Sequence, residues 1–420
     1  MTFTSGERQL WVWYTPFGLG GVETFLLNHA RCAATRSSTT WIAAVQNTAG
    51  LLRDDFERTG AQTIDWTAFY PAFMNQAPAK TVQEMLINDI ITIRPTVLSL
   101  NDCTDFALGA APLLRRLRPF CTIIDTLHID APDDGYLLRR RACLDVYDGV
   151  AATNQNILER FRRAYPRTTV TARYISNGVH VPQRSRRPAD QILRLLYVGR
   201  LAQDQKRILE LPSILKQLRS SGRVFEVTVL GDGPQRDELA HLLNQFGLSD
   251  CVRLAGCVLP GEAIEQYFSH DVVLNLSDYE GFSMTILEAL GAGCVPICTD
   301  LPCLDRAVFQ DGVNCRLCPV NDLSRMSDIL AGLWPEDLAH LSTGARSIGK
   351  KFTAEKMSAN YAELVEELRE RRPLKPWPVC PRTALCGSWD MARNNPWIPH
   401  PNPIKQLLLR TWSHLVRGRL

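Results

Sequence analysis

Short apolar runs alternate with longer amphipathic stretches along most of the chain, separated by glycine-rich or polar turns. Runs of this length are too short for helices and are typical of strands buried in a parallel sheet. Helical periodicity follows most of them, and strands alternating with helices predict an α/β protein with doubly wound parallel sheets. The predicted strands are 10–16, 41–46, 96–100, 121–125, 149–154, 194–199, 227–230 and 252–260.

The clearest local pattern is the stretch 274–298, where an apolar strand is followed by a loop, a helix and a second apolar run. Helical periodicity extends over about 283–290. Gly291 and Gly293 are expected to end this helix as a C-terminal glycine cap. The stretch therefore predicts a strand–helix–strand unit whose helix N-terminus lies at the end of a strand.

Two glutamates flank the start of this helix, Glu280 just before it and Glu288 in its second turn. A helix N-terminus favours an anion, and Gly281 lets a ligand approach the backbone because it has no Cβ. Two carboxylates in these positions can hold sugar hydroxyl groups. The same spacing also occurs where glutamates merely solvate a helix face, so the residues alone leave both interpretations open.

Two glycine turns resemble a dinucleotide-binding loop without completing it. Gly18, Gly20 and Gly21 follow the first strand, but Glu23 and Thr24 occupy the place of the last glycine of G-x-G-x-x-G. The G-D-G turn after the strand at 227–230 lacks that glycine as well. A dinucleotide-dependent oxidoreductase is therefore disfavoured.

The block at 274–298 resembles the E-x7-E motif of the retaining glycosyltransferases of family 4 (glycosyl transferases group 1), which have the GT-B fold. Three further segments resemble that family: Gly-Gly-x-Glu at 20–23, the run 174–182, and the sequence GR-x5-K at 199–206. The resemblance covers about 10–372 and is dense over 194–330. The positions that match within the block are Ser277, Glu280, Gly281, Phe282, Glu288, Ala289, Gly293 and Pro296.

The resemblance implies two Rossmann-like domains that face each other across a cleft, and it assigns roles to particular residues. Arg200 and Lys206 would stabilise the departing diphosphate, and Glu280 would hold sugar hydroxyls. His128, which follows a predicted strand, would orient the sugar. The expected donor-binding residues are Gly20, Gly21, Gly199, Gly281, Phe282, Ser283, Met284 and Glu288, the last of them through the nucleotide ribose.

Three positions depart from the family's usual residues. Arg207 stands where a glycine usually follows the lysine, Asp305 stands where glutamate is commoner, and Cys315 replaces a glycine. The departure at Arg207 predicts a locally different turn.

The implied organisation is an acceptor-side Rossmann-like domain over 1–182, a linker over 183–191 and a nucleotide-sugar-binding Rossmann-like domain over 192–350. A helix over 351–372 would cross back to the first domain. The tail at 373–420 lies outside the resemblance and is expected to be irregular up to residue 402. Within it, 403–420 carries an apolar stripe and four Lys or Arg without Asp or Glu, as a basic amphipathic helix does.

Composition changes this interpretation little. The 420 residues are 45% apolar and 22% charged, with a net charge of +3, which is too small to indicate nucleic acid. The arginine-rich stretches 113–119, 137–144 and 158–167 are either solvated helix faces or a basic face toward an anionic membrane. The thirteen cysteines form no framework, and Cys315-x-x-Cys318 lacks a second pair, so reduced core thiols are expected.

We therefore expect a retaining glycosyltransferase that moves a sugar from a nucleotide-diphosphate-sugar donor to a glycan, lipid-linked or other hydroxyl acceptor. No metal and no cofactor is expected, since the Arg200 and Lys206 pair can neutralise the diphosphate. No signal peptide or spanning segment is predicted, so a cytoplasmic protein is expected, with peripheral contact to the inner face of an anionic membrane left open. The alternatives are a GT-B-fold sugar-nucleotide epimerase and a non-catalytic nucleotide-sugar-binding subunit.

Overall fold

The computed structural model describes residues 6–13, 19–34, 38–44, 52–66, 79–129, 137–138, 140–320 and 322–385. The predicted helix at 403–420, and Gly18 of the first glycine turn, lie outside the described residues. The chain divides into two compact units. The first unit is formed by Met1–Gly18, His29–Ile175 and Ser358–Leu420, and the second by Leu19–Asn28 and Ser176–Met357.

The first unit is built on a parallel sheet whose seven described strands have the order β3-β2-β1-β4-β5-β6-β7. The central strands are almost entirely buried, which explains their continuous apolar runs. The strands are β1 (Arg8–Trp13), β2 (Thr39–Ala44), β3 (Gln62–Asp65), β4 (Val97–Asn101), β5 (Thr122–Leu127), β6 (Gly149–Ala152) and β7 (Thr171–Tyr174). The helices are α2 (Arg53–Arg58), α3 (Ala79–Ile93), α4 (Thr104–Leu117) and α5 (Gln155–Ala164).

The second unit repeats this plan with six described parallel strands in the order β10-β9-β8-β11-β12-β13. They are β8 (Leu193–Val198), β9 (Phe225–Leu230), β10 (Val252–Gly256), β11 (Val272–Asn275), β12 (Val295–Thr299) and β13 (Arg316–Cys318). The helices between and after them are α6 (Gln203–Lys206), α7 (Leu211–Ser220), α8 (Arg236–Gln245), α9 (Pro260–Ser269), α10 (Met284–Ala292), α11 (Leu323–Ala331) and α12 (Pro335–Gly349). Strands β8 and β11 are neighbours, so the loops that follow them meet at one edge of the sheet.

Two helices have residues in both units. Helix α1 (Gly21–Ala34) has residues 21–28 in the second unit and the rest in the first, and helix α13 (Ala354–Arg371) has residues 354–357 in the second unit. A last short helix, α14 (Pro381–Leu385), belongs to the first unit. None of the helices in the described ranges is both long enough and apolar enough to cross a membrane.

The predicted α/β class with two doubly wound parallel sheets is confirmed. Three short strands had no sequence signal: β3, β7 and β13. Each lies at an edge of its sheet, where one side is unpaired and a continuous apolar run is not needed. The predicted glycine cap is corrected in one respect. Gly293 ends α10 in the left-handed conformation (φ 79°), whereas Gly291 lies inside the helix.

The segment predicted to be an irregular tail begins as a packed part of the first unit. The backbone amide of Lys375 donates to the Pro119 carbonyl (2.7 Å), and the Trp377 ring lies 5.5 Å from the Phe120 ring. Leu385 of α14 is fully buried. The chain from 374 to 385 is therefore held on the first unit by a hydrogen bond, aromatic packing and a buried leucine.

The predicted linker at 183–191 has no regular secondary structure but is tied to the second unit by ion pairs. The buried carboxylate of Asp271 accepts hydrogen bonds from Arg186 (3.2 Å) and from Arg187 (2.9 and 3.1 Å). The Asp271 carboxylate also accepts from the Arg194 amide (3.0 Å). These contacts give the segment a fixed course over the second unit.

The arginine-rich stretches 113–119 and 137–144 are not simply solvated faces. Arg115 binds Asp145 through two hydrogen bonds of 2.5 and 3.0 Å. Arg140 is completely buried, so the expectation of a solvated or membrane-facing side chain is wrong for that residue. The reason is that buried carboxylates surround it, as described below.

Candidate functional site

The loop and helix at 276–292 carry most of the predicted site. The loop leaves β11 after Asn275, and Ser283 is the N-cap of α10. The first helical hydrogen bond runs from the Leu287 amide to the Ser283 carbonyl (3.2 Å). The first-turn amides that begin at Met284 therefore have no acceptor within the helix and can bind an anion.

Phe282 has a structural role in this loop. Its side chain is 5% exposed and packs against Phe309 and Phe352, with ring centroids 6.0 and 5.4 Å away. Its carbonyl accepts a hydrogen bond from the Asn177 amide group (2.7 Å). The buried ring thus anchors the loop immediately before the free amides, and Phe282 would contribute to ligand binding by fixing the backbone.

Glu280 accepts several hydrogen bonds within the loop and from Lys206. One of its oxygens, Oε1, accepts hydrogen bonds from Lys206 Nζ (2.5 Å), Ser277 Oγ (2.7 Å) and Asn275 Nδ2 (3.2 Å). Among the described residues, no hydrogen bond reaches the other oxygen, Oε2. The arrangement therefore fixes the carboxylate firmly while leaving one oxygen able to accept from a ligand.

Glu280 is ionised despite its burial. Burial alone would raise its pKa, but the Lys206 ammonium and the Ser277 and Asn275 donors outweigh that effect, so the pKa of Glu280 lies below its usual value. Lys206 uses one hydrogen bond for Glu280 and keeps two further N–H donors. The pair can therefore offer both an acceptor and a cation to the same ligand.

The turn that carries Lys206 has the conformation that a glycine favours. Arg207 lies in the left-handed region (φ 50°, ψ 36°). Its guanidinium contacts Asp278 (3.2 Å) and donates to the Val320 carbonyl. An arginine thus occupies a left-handed turn, and its own side-chain contacts offset the backbone strain. Whether the turn differs from that of the family stays a prediction.

Arg200 follows β8 and is exposed, and the described residues give its side chain no hydrogen-bond or ion-pair partner. Its carbonyl accepts from the Tyr197 hydroxyl (3.1 Å). Burial raises the pKa of Tyr197, the Glu280 charge adds to this effect and the Arg200 charge opposes it, so both ions lie near that phenol. Arg200 thus presents an uncompensated guanidinium on the Glu280 side of the sheet.

Two glycines allow the turns at this edge to approach closely. A β-carbon on Gly231, which has a φ of 138°, would lie 1.9 Å from the Gly199 carbonyl oxygen. No side chain larger than that of glycine fits at Gly231. Gly199 therefore belongs to a tight contact between the ends of β8 and β9, directly before Arg200.

Glu288 occupies a different environment from Glu280. It lies within α10, is 9% exposed, and accepts a hydrogen bond from the Tyr267 hydroxyl (3.0 Å). Burial raises the pKa of Glu288 to about 7, and the Tyr267 hydrogen bond only partly opposes this. Near neutral pH a fraction of Glu288 is protonated, so this side chain can both donate to and accept from a hydroxyl group.

The first glycine turn lies beside the start of α10. Gly21 begins α1, and a β-carbon on Gly21 would lie 3.6 Å from Met284 Cγ. A β-carbon on Gly20 would clash with the Glu23 carboxylate, which approaches to 2.4 Å. The two helix N-termini therefore lie close to one another in the second unit. The α1 N-terminus already has a carboxylate beside it, since Glu23 in its first turn is buried.

His128 lies in the first unit, directly after β5, and it is buried. Burial lowers the pKa of His128 to about 4, so the imidazole is neutral at pH 7. Asn101 Nδ2 donates to the Val12 carbonyl (3.0 Å), which directs Asn101 Oδ1 toward His128 Nε2 (3.2 Å). Nε2 therefore carries the proton, and Nδ1 is an acceptor.

A buried ionic network below His128 was missed by the sequence interpretation. Asp102 accepts from the His128 amide (2.7 Å) and from Arg140 Nη2 (2.6 Å). Arg140 Nε donates to Asp125 (2.8 Å). Burial raises the pKa of the Asp125 carboxyl, and Arg140 only partly offsets that effect. An aspartate inside the apolar run at 121–125 was the available signal, because such a charge requires a buried partner.

The structure thus brings together Lys206 with Glu280, and Gly21 with Met284, while His128 lies in the other unit. The sequence alone could not pair Lys206 with Glu280, because 74 residues separate them. The two residues meet because the loops that carry them follow the neighbouring strands β8 and β11. Local periodicity does not predict which strands are neighbours.

Comparison with known proteins finds a family that matches part of the second unit. Residues 193–335 match the family described as Glycosyl transferases group 1. Glycogen synthase of Mycobacterium tuberculosis is 28% identical over 203 residues, which are 47% of this chain and 44% of that protein. D-inositol 3-phosphate glycosyltransferase of Paenarthrobacter aurescens is 32% identical over 152 residues, or 34% of this chain and 37% of that protein. The matches thus span less than half the length of these curated relatives.

Solved structures resemble a larger part of the chain. Anabaena Alr3699/HepE in complex with UDP and glucose has a TM-score of 0.69 at 16% identity, covering 86% of this chain and 100% of that one. The lipopolysaccharide outer core galactosyltransferase WaaB has a TM-score of 0.63 at 17% identity, covering 86% and 99%. These likenesses confirm the GT-B fold, and the family match identifies a Glycosyl transferases group 1 domain over residues 193–335. An epimerase is not favoured.

Proposed function

We propose that the protein is a retaining glycosyltransferase of family 4 that transfers a sugar from a nucleoside-diphosphate-sugar donor to the hydroxyl group of a glycan or lipid-linked acceptor. The observation that carries the proposal is the Glu280 carboxylate next to a helix N-terminus. Its Oε1 is held by Lys206, whereas Oε2 accepts no hydrogen bond from the described residues. A fixed carboxylate, a cation and unpaired amides together match a neutral polyhydroxyl group attached to a dianionic diphosphate.

In this proposal the diphosphate lies against the adjoining N-termini of α1 and α10. Gly20 and Gly21 allow close approach, and the amides beginning at Met284 donate to the phosphate oxygens. Arg200 contributes a planar guanidinium, and Lys206 a point charge. The negative charge that develops on the leaving diphosphate would meet donors that are already in position, which is the usual source of large rate effects in group transfer.

The two glutamates would divide the recognition of the donor. The free oxygen of Glu280 would accept from sugar hydroxyls, and Glu288 would hold the ribose of the nucleotide. That His128 orients the sugar stays a prediction from the family resemblance. The site requires no metal in this proposal, because cations of the chain itself and backbone amides neutralise the diphosphate.

Retention is proposed to follow from attack of the acceptor hydroxyl on the face that the diphosphate leaves. The bond between the anomeric carbon and the diphosphate oxygen breaks, the bond to the acceptor oxygen forms, and the acceptor proton passes to a leaving-phosphate oxygen. Glycosidases that retain configuration instead use two opposed carboxylates about 5 Å apart. Here Glu280 is held by Lys206 and Glu288 by Tyr267, in separate hydrogen-bonding environments.

A donor screen tests the proposal. UDP-sugars are the first choice, because the HepE structure that resembles this chain contains UDP and glucose. Release of nucleoside diphosphate should continue in EDTA, and NMR of the product should show the anomeric configuration of the donor. Activity that disappears in EDTA and returns with magnesium or manganese contradicts the metal-free assignment, and an inverted anomer contradicts retention.

The two cations can be tested with the same assay. Arg200→Ala and Lys206→Ala should each lower turnover by roughly 10²-fold, as removal of a preorganised donor does in other enzymes. The matched control is Lys351→Ala, which removes an exposed cation of the second unit after α12. Equal turnover in all three variants contradicts the assignment of the diphosphate to this edge.

A further inference from the structure

A cleft lies in the first unit, at the edge of the sheet opposite to His128. Its volume is about 490 Å³. Arg8 opens β1, Thr96 precedes β4 and Phe120 precedes β5, so the cleft is at the amino-terminal edge of the sheet. His128 follows β5 at the carboxyl-terminal edge. The cleft is therefore separate from every residue assigned to the proposed transfer reaction.

The charged residues that line this cleft are all cations: Arg8, Arg94 and Lys375. No salt bridge or side-chain hydrogen bond to a carboxylate occupies any of the three within the described part of the chain. The nearest carboxylate in sequence, Glu7, is held by Arg369 (2.7 Å). Three uncompensated cations around one cavity repel each other, and a bound anion would relieve that repulsion.

One of these cations, Arg8, is held in position. Arg8 Nε donates to the Arg94 carbonyl (2.7 Å), and Arg94 has a left-handed backbone (φ 48°) after the end of α3. With Nε occupied, the two terminal nitrogens of Arg8 remain as donors. A guanidinium that is preorganised in this way loses little side-chain entropy when it binds a phosphate.

The remaining lining is aromatic and aliphatic, with two hydroxyl side chains, Thr92 and Thr96. Trp377 lies 5.5 Å from Phe120 between ring centroids, and Ile93, Leu374 and Pro376 complete the surface. Trp377 Nε1 is buried and has no hydrogen-bond acceptor in the described part of the chain. A buried indole N–H without an acceptor is costly, so the position of this ring carries a free-energy penalty.

We propose that this cleft binds a phosphate group attached to an apolar or aromatic moiety. The cations would hold the phosphate, and Trp377 with Phe120 would pack against the attached group. Two sources share this chemistry, a soluble phosphate ester such as a nucleotide and the headgroup of an anionic phospholipid. The chain from 374 to 377 forms one wall of the cleft, so a bound ligand would contact the segment that follows α13.

A local signal tests the proposal without interference from the donor site. The full-length protein is labelled with 5-fluorotryptophan, and the ¹⁹F resonance of Trp377 is identified by its loss in Trp377→Phe. Phenyl phosphate should shift that resonance saturably, while phenol and inorganic phosphate shift it less. Arg200→Ala should leave this response intact, which separates it from binding at the proposed donor site.

Variants of the cleft decide which groups bind. Arg8→Ala combined with Lys375→Ala should raise the dissociation constant for phenyl phosphate by at least about tenfold, because two charge-assisted contacts are lost. Lys351→Ala is the charge-matched control and should bind as the wild type does. No shift at Trp377, or an equal response in the double variant, overturns the proposal.

Sedimentation distinguishes the two sources. Vesicles of phosphatidylcholine with phosphatidylglycerol should pellet the wild-type protein more than the double variant if the ligand is a lipid headgroup, and pure phosphatidylcholine should not. Saturable binding of phenyl phosphate without a difference in pelleting assigns the cleft to a soluble ester. Failure in both assays contradicts a phosphate site of either kind.

Discussion

Both sheets have acidic residues together with an arginine or a lysine near their carboxyl-terminal edges, but these charged side chains differ in burial and in pairing. In the first unit, Arg140 is buried between Asp102 and Asp125, and the charges are enclosed. In the second unit, Glu280 has one oxygen without a partner among the described residues, and Arg200 is exposed. The difference indicates that the first network supports structure and that the second edge is available to a ligand.

Removing the cation from the enclosed network should have the largest effect. Arg140→Leu leaves two buried carboxylates without their partner and should lower the free energy of unfolding by about 3–5 kcal/mol. Urea denaturation measures this, and Arg115→Ala, which breaks an exposed pair, should cost at most about 1 kcal/mol. A loss at Arg140 no larger than that at Arg115 contradicts the description of the first edge as structural.

The second unit also contains a buried acid, Glu288, whose effect on stability can be compared with that of the buried network in the first unit. Its pKa is raised to about 7, so between pH 4.5 and 7 the folded protein holds a proton that the unfolded chain has released. Stability should therefore fall as pH rises through that window, by up to about 3 kcal/mol from this group.

Glu288→Gln should remove that component, so the difference in unfolding free energy between variant and wild type should grow in favour of the variant from pH 5 to pH 7.5. The subtraction cancels other titrating groups, such as Asp125 and His128. A difference that stays constant with pH contradicts the raised pKa.

Arg207 tests how much strain the open edge tolerates. Arg207→Gly and Arg207→Ala both lose the contacts with Asp278 and Val320, but only the alanine keeps a side chain in the left-handed conformation. The glycine variant should therefore be more stable than the alanine variant by roughly 1 kcal/mol. Thermal unfolding of the two variants decides the point, and an alanine variant of equal or greater stability contradicts it.

The comparison also shows which features sequence can predict. The strand–helix unit at 274–298 is evident because buried parallel strands are continuously apolar and Gly293 ends the helix. The edge strands β3 and β7 are not evident from sequence, because a strand at the edge of a sheet does not need a continuous apolar run. Arg140 resembles a solvated arginine in a basic stretch, because its burial depends on aspartates from two other segments.

The candidate site follows the same rule. The individual positions Arg200, Lys206, Glu280 and Glu288 were predicted from a motif. The roles of these residues were also taken from the family resemblance, but the hydrogen-bond partners of the two glutamates were not predicted, because they depend on which oxygen of Glu280 is occupied and on the tyrosine beside Glu288. Those facts come from strand order and side-chain packing, which local sequence does not encode.

The most direct test of the account is the turnover of Glu280→Gln with the donor identified by the screen. Glutamine keeps an oxygen for Ser277 and Asn275 but loses the charge that Lys206 and the sugar hydroxyls require. The account predicts a fall in kcat of roughly 10²-fold in a protein that still folds. Wild-type turnover in a normally folded Glu280→Gln protein would contradict the assignment of this edge as the site of transfer.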